Sequence, residues 1–482
     1  MLNFYRRMLL SALLLLLYAF SDNSLVFSKV MLAGSRGTVP KYESISKNTP
    51  GVAAKFTEKS SPLVIEINRG VLKPVSIAIS MSGADKVLAN HISCVVKNDL
   101  QSTSFFRAVH EKAFMQELSS ANIQPLYKLW NLINAQYLLS AHVNVSGSQL
   151  QIVMVLYDII SEKRLGGISI QGSIRNWRKI SHIISNYIYE KITGENGYFD
   201  TKIMYVALNR ARNGQKIHRI ALMDQDGFGH RYLTSGATTV LTPRLSPNGR
   251  CFTFFAYREK IVNGRRVPIS AGLYQGNLQT GKIFLLLQMD GMVYAPRYSP
   301  DGRFLLFCLS RKGTSSIFRL NLETKELQRL TRGICIDTSP CLSPDGQFIV
   351  FNSDRSGTQQ LYVMNADGSN IRRLSYDAGY RYATPVWSPR GDWVAFSKFR
   401  NGIFYIGIVH PSGIGERVLA SGYMLEGPTW SPNGRVIMYS HQDYSKREKI
   451  CSVDISGNNR REIETPGDAI DPEWSANMTG LR

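Results

Sequence analysis

Pro385-Val386-Trp387-Ser388-Pro389-Arg390-Gly391 is the stretch from which the fold is read. A short strand runs into a tight turn. Proline presets φ at about −65° and glycine accepts positive φ, so the chain reverses sharply. Asp392 to Ser397, carrying Trp393, Val394, Ala395 and Phe396, forms the next strand. The Ser-Pro-x-Gly turn also stands at Ser246-Pro247-Asn248-Gly249, Ser299-Pro300-Asp301-Gly302, Ser343-Pro344-Asp345-Gly346 and Ser431-Pro432-Asn433-Gly434. The five turns are spaced by 53, 44, 45 and 43 residues, and a degenerate sixth copy, Trp474-Ser475-Ala476-Asn477, follows 44 residues later. A strand-rich repeat of this length predicts a β-propeller, one four-stranded blade per unit.

Within one unit, Leu361-Tyr362-Val363-Met364 reads as a third strand, Asn365-Ala366-Asp367-Gly368 as a hairpin turn and Ile371 to Leu374 as an outer strand. A lone blade leaves both faces bare, so neighbours must stack on it. Five units begin with their own Ser-Pro turn. The segment Thr201 to Leu233 has three strands (Ile203 to Leu208, Ile217 to Met223, Arg231 to Leu233) and no Ser-Pro strand before them, while the last strand, Ile470 to Ser475, has no blade after it. The two fragments complete one blade. The expected fold is therefore a six-bladed propeller whose C-terminal strand closes the ring and removes exposed sheet edges.

Upstream of the propeller the pattern changes. Val75 to Ile79 alternates as a half-buried strand. Ala84 to Leu100 and Trp177 to Ile192 read as amphipathic helices, with a shorter helix over Leu126 to Ile133. Tyr137 to Val145, Leu150 to Tyr157 and Leu165 to Ile170 read as consecutive strands. This predicts a small α/β domain over residues 63–198, before the propeller at 199–482. Arg6 and Arg7, the apolar run Met8 to Phe20 and the small residues Ala19 and Ser21 have the layout of a signal peptide over residues 1–21. Residues 22–62, rich in Ser, Lys, Gly, Thr and Pro, read as a flexible leader. No later apolar run reaches spanning length, so no transmembrane segment is expected after signal removal.

A hydrophobic fraction of 44% with 19% charged residues excludes general disorder and a fibrous fold. The formal net charge of +21 fits a generally basic proteome, with acidic partners, anionic lipid or nucleic acid the other readings. Because Lys and Arg are spread along the chain, nucleic acid is not expected. Six cysteines are too few for a disulfide scaffold. Cys335 and Cys341 are close enough for a bridge, with buried free thiols the other reading, and no CxxC supports zinc or thiol-redox chemistry.

The best repeat runs Ser343-Pro344-Asp345-Gly346, then Ser353-Asp354-Arg355-Ser356-Gly357, then Tyr362-Val363-Met364-Asn365-Ala366-Asp367-Gly368. It resembles the repeat of the TolB family. The junction Tyr189-Glu190-Lys191-Ile192-Thr193-Gly194-Glu195-Asn196-Gly197-Tyr198-Phe199 resembles that family's boundary between α/β domain and propeller. The resemblance covers about Leu63 to Glu473. It implies a monomeric periplasmic binding protein of the Tol-Pal system, with no catalytic residues, cofactor or metal. In that family the propeller mouth docks Pal, the peptidoglycan-associated lipoprotein, and the N-terminal segment engages TolA. The system supports outer-membrane integrity and constriction during cell division, and other outer-membrane or peptidoglycan-associated proteins are further expected partners. Carried over, Pal-binding positions fall on Met292, Ala295 and Thr338, with equivalent mouth positions at Ser339, Thr384, Glu426 and Asp471. By pattern, all lie just before the strand that feeds a Ser-Pro turn. The TolA segment falls on Leu63, Val64, Ile65, Glu66 and Ile67, here behind a leader of about 40 residues.

Enzyme readings find little. Neither Gly-x-Ser-x-Gly nor His-Glu-x-x-His occurs. The alternatives are a propeller hydrolase using Glu426, Asp471 or Asp337, and a periplasmic binder of glycans or anionic ligands.

Overall fold

The computed structural model describes residues 74–210, 216–262 and 265–476. The expected signal peptide, the leader and the segment Leu63 to Ile67 lie outside the described residues. Among the described residues no helix is long and apolar enough to cross a membrane.

The first unit comprises β1 (Val75–Gly83), α1 (Lys86–Ser102), β2 (Phe106–Ala108), α2 (Tyr127–Leu132), β3 (Tyr137–Ser146), β4 (Gln149–Asp158), β5 (Lys163–Ser173) and α3 (Trp177–Thr193). The sheet order is β2-β1-β3-β4-β5. Its first two ladders are parallel and its last two antiparallel. α1 begins where the Asp85 carboxylate accepts a hydrogen bond from Leu88 N at 2.9 Å, and α3 stops at Gly194 with φ 74°. β1 runs beyond the expected alternation as far as Gly83, where a Cβ would meet Val143 O at 2.5 Å, so only glycine allows this strand pairing.

Ile92, Val96 and Leu100 of α1 and Ile184 and Ile188 of α3 pack on Ile77, Ile79, Leu139, Ile152 and Leu156 of the sheet. The same apolar cluster continues through Tyr198 and Phe199 to Tyr205, Met438 and Trp474. One core therefore crosses the junction between the two units, and burying it holds them together.

The propeller has six sheets of four strands. The first joins β6 (Lys202–Arg210), β7 (Lys216–Asp224) and β8 (Arg231–Tyr232) to the final strand of the chain. Then follow β9 (Thr239–Leu245), β10 (Cys251–Val262), β11 (Arg265–Asn277) and β12 (Ile283–Leu287). The third blade is β13 (Met292–Tyr298), β14 (Phe304–Arg311), β15 (Thr314–Asn321) and β16 (Leu327–Arg329). The fourth is β17 (Asp337–Leu342), β18 (Phe348–Ser353), β19 (Gln360–Asn365) and β20 (Arg372–Arg373). The fifth is β21 (Arg381–Trp387), β22 (Val394–Arg400), β23 (Ile403–Val409) and β24 (Arg417–Gly422). The sixth is β25 (Met424–Trp430), β26 (Val436–Gln442), β27 (Glu448–Asp454) and β28 (Arg461–Ile463). The last strand, β29 (Asp468–Trp474), pairs with β6 from Asp468↔Leu208 to Trp474↔Ile203, so the ring closes as expected.

Each Ser-Pro turn is held by its serine. Phe348 N donates to Ser343 Oγ at 2.9 Å, Ser343 N donates to Phe348 O at 2.8 Å, and Gly346 takes φ 71°. The degenerate sixth copy uses the same device across the closure: Lys202 N donates to Ser475 Oγ at 2.9 Å. All six cysteines are free thiols, and Cys341 is buried.

The two ends of the ring differ. The N-terminal unit sits on the end that carries the Ser-Pro turns. There the Glu195 carboxylate pairs with Arg435 and Arg390, and Asn433 Nδ2 donates to Asn196 O at 3.2 Å. Asn459 Nδ2 donates to Ser102 O at 2.6 Å, and Arg178 pairs with Asp226 in the β7–β8 turn. The opposite end, where the inner strands begin, has no such cover among the described residues.

Candidate functional site

The innermost strands share one distortion. Halfway along each, a residue before proline takes a left-handed φ: Thr242 at 47°, Ala295 at 51°, Ser339 at 53°, Thr384 at 47°, Gly427 at 61° and Asp471 at 50°. At each of these six points the ladder with the second strand of the blade slips register. The bulge bends the strand, and the proline that follows has no N–H to lose from the ladder. A non-glycine residue held there stores about 1–3 kcal/mol of strain, which the packed blades must offset. The six bulges surround the channel. A cavity of about 210 Å³ lies among them, lined also by Arg244, Arg297, Thr338, Lys398 and Glu426.

Six of the seven expected Pal-binding positions meet around this cavity: Ala295, Thr338, Ser339, Thr384, Glu426 and Asp471. Met292 does not line it. Its side chain is half-buried against the Tyr294, Leu309 and Ile317 cluster. The pattern also misplaced these residues along the chain. They lie inside the inner strands, because each inner strand begins earlier than its Ser-Pro spacing suggested and carries its bulge midway.

Below the bulges the channel is charged. Glu473 lies between two arginines from other blades, with Arg244 Nε 3.6 Å from Oε2 and Arg297 Nη1 3.8 Å from Oε1. Thr242 N donates to Asp471 Oδ2 at 3.2 Å, and Asp471 N donates to Ser440 Oγ at 2.9 Å. Burial pushes the Asp471 carboxyl up and the Arg244 guanidinium down, each partly countered by the other's charge. Lys398 is committed elsewhere, paired with Asp377 and Glu416. Asp337, the third carboxylate weighed for hydrolysis, is held by Arg355 Nη2 at 3.0 and 3.1 Å and does not line the cavity.

Among the described residues Glu426 has no such support. Burial, with Asp471 and Glu448 nearby, pushes its carboxyl up to about 8. A raised folded-state value stabilises the fold below the unfolded value of about 4.3, and that contribution is lost as pH rises through 8. Glu426→Gln removes the titration. The variant should therefore match the parent near pH 5 and melt several degrees higher at pH 9. Equal melting temperatures at both pH values would contradict the charge assignment.

The open rim carries large apolar side chains that the sequence reading did not single out. Ile334 is 90% exposed, Tyr376 67%, Tyr444 85% and Tyr423 38%, and the Tyr423 and Tyr444 rings lie 5.3 Å apart. Each stands alone in a connection between strands, so no periodicity marks it. All four connections open at the end away from the N-terminal unit.

A family model described as the TolB beta propeller domain matches residues 189–478, and one described as the TolB amino-terminal domain matches residues 63–165. The Tol-Pal system protein TolB of Rickettsia bellii is 42% identical over 429 residues, 85% of this chain and 94% of its own length. The chain belongs to the TolB family. The TolB protein of Rickettsia felis is 41% identical over the same shares. The crystal structure of TolB from Acinetobacter baumannii superposes with a TM-score of 0.73 at 22% identity, over 84% of this chain and 97% of that one, and shows the common fold. TolB membership makes the chain a non-enzymatic component of the envelope-associated Tol-Pal system.

Proposed function

We propose that this chain is a periplasmic docking component that seats the peptidoglycan-associated lipoprotein Pal on the open mouth of its propeller. In this reading Ala295, Thr338, Ser339, Thr384, Glu426 and Asp471 form the floor of the Pal site and Met292 part of its rim. The segment from Leu63 to Ile67 engages TolA, and the two interactions support outer-membrane integrity and constriction at division. One observation carries the reading: the N-terminal unit occupies the Ser-Pro end and leaves the other end with exposed aromatic side chains around a preformed cavity. Exposed Tyr residues around a concave floor suit a protein interface, where aromatic side chains supply most of the binding energy.

The test is a titration with the soluble domain of this organism's Pal. Thr384 lines the cavity, with its hydroxyl 2.9 Å from Ser397 Oγ. Thr384→Arg places a guanidinium there and should weaken binding by about 100-fold or more while the circular dichroism spectrum stays unchanged. Binding by this variant at parental affinity would move the site off the channel mouth.

A further inference from the structure

Four cations line the channel cavity: Arg244, Arg297, Arg381 and Lys398. Three of them already have carboxylates of their own. Arg244 and Arg297 hold Glu473 between them, at 3.6 and 3.8 Å, and Lys398 is paired with Asp377 at 3.1 Å and with Glu416. Arg381 differs. It is exposed, and among the described residues its guanidinium makes no ion pair or hydrogen bond. The two acids of the cavity do not neutralise it. Asp471 accepts a hydrogen bond from Thr242 N at 3.2 Å, and its charge is countered by Arg244. Burial, with Asp471 and Glu448 nearby, holds the Glu426 carboxyl up at about 8, so that group is mostly uncharged at neutral pH. The surplus positive charge of the cavity therefore sits on Arg381.

Arg381 opens β21, three residues before the Thr384 bulge. At the same offset the other blades carry Thr239, Met292, Ile336, Met424 and Asp468, so the fifth blade alone sets a cation there. This strand end is fixed in place. Tyr382, fully buried, donates its hydroxyl to Glu416 at 2.9 Å, and Glu416 also holds Lys398. Strand alternation turns Arg381 to the face opposite Tyr382. Phe399, which pairs with Arg381 across the strands, and Phe404 give the cavity an apolar wall, with their rings 4.7 Å apart. A protein that covers the mouth strips water from the guanidinium beside that wall. A cation buried without an acceptor is costly, whereas a carboxylate meets the guanidinium fork with two parallel hydrogen bonds.

We infer that Arg381 is a specificity residue of the mouth, which receives an aspartate or glutamate side chain of the docked protein in the cavity beside Phe399. The inference rests on the docking reading above. One unmatched positive charge selects an acidic group, and continuity with the mouth assigns that group to the protein seated there. An anionic lipid headgroup offers the same charge, and the test separates the two.

The probe is the soluble Pal domain of the same organism, with association and dissociation rates measured for the parent chain and for Arg381→Gln, Arg381→Lys and Arg381→Glu. The side chain is exposed and unpaired among the described residues, so all three variants should keep the parental melting temperature. Arg381→Gln should weaken binding about 30-fold, chiefly through faster dissociation, and Arg381→Glu should weaken it further. Arg381→Lys keeps the charge and loses the fork, so it should fall between the parent and Arg381→Gln. One acid-to-lysine substitution in the Pal domain should restore binding to Arg381→Glu while weakening binding to the parent, a reversal that a mere loss of shape would not produce. Parental rates for Arg381→Gln and Arg381→Glu, with Thr384→Arg still weakening binding, would overturn the carboxylate contact and leave the docking reading standing. Weakened binding that no acid-to-lysine substitution in Pal restores would overturn the contact as well. No binding of Pal by the parent chain would overturn both. Parental rates with Pal, together with loss in Arg381→Glu of the parent's retention on phosphatidylglycerol vesicles, would assign Arg381 to lipid and overturn the inference.

Discussion

Deletion of residues 468–482 should abolish cooperative folding of the propeller. The deletion removes β29, which supplies the inner strand of the first blade and pairs with β6 over five residue pairs. β6 would be left as an open edge at the centre of the ring, facing the channel, with nothing to replace its partner. The loss reaches the other unit as well. Trp474 is 7% exposed; its indole N–H donates to Thr201 Oγ1 at 2.8 Å and its ring meets Tyr198 edge-on at 5.6 Å. Trp474→Ala alone should cost about 3–5 kcal/mol, because truncating a buried aromatic leaves a cavity that the packed core fills only in part. In a chain of this size each kcal/mol moves the melting temperature by about 2–4 °C, so the point variant should melt roughly 10 °C lower. Calorimetry of both variants checks this. A truncated chain that retains one sharp transition at the parental temperature would show that the ring is held by something other than its closing strand.

Asp99→Ala should cost a comparable amount. Asp99 in α1 is 1% exposed, and its carboxylate lies 2.7 Å from His182 Nδ1 in α3. Gln225, from the propeller, donates to its other oxygen at 3.1 Å. The pair therefore joins two helices and anchors the propeller beneath them. The carboxylate pushes the His182 imidazole up against the opposing effect of burial, while burial pushes Asp99 up. Removing one member strands the other in a site closed to water, at a cost of about 3–5 kcal/mol. Because the folded-state value of His182 is raised, its contribution is full below the unfolded value of about 6.5 and fades as pH rises through the folded value. The gap in melting temperature between parent and Asp99→Ala should accordingly narrow from pH 6 toward pH 9. A variant as stable as the parent at pH 6 would show that the pair adds nothing to the junction.

The blades were legible because their determinant is local. A Ser-Pro-x-Gly turn closes through bonds of one serine to residues within five positions, so every copy carries its own signature. The ring closure followed from the two unmatched fragments at the ends. The bulge ring was equally present in the sequence. Pro243, Pro296, Pro340, Pro385, Pro428 and Pro472 each stand three residues before the serine of their unit. A proline inside a strand at a fixed offset marks a bulge, and that signal, which went unread, would have placed the inner-strand residues more closely than the Ser-Pro spacing did. The channel charges could not be found this way. Arg244 and Glu473 are adjacent only because the ring closes, and Tyr423 meets Tyr444 across a loop without period. β2 was missed because three residues are too few to show alternation. Extra length in the second blade was visible as a 53-residue spacing, but the spacing does not tell at which end the surplus emerges.

The central claim is that the partner settles on the end of the ring opposite the N-terminal unit. Backbone hydrogen exchange of the intact chain, with and without the soluble Pal domain, tests it most directly. Protection should appear in the connections that carry Ile334, Tyr376, Tyr423 and Tyr444 and in the first halves of the inner strands, with the Ser-Pro turns unchanged. Protection centred on the Ser-Pro turns or on the α/β unit, with the mouth connections exchanging as before, would contradict it.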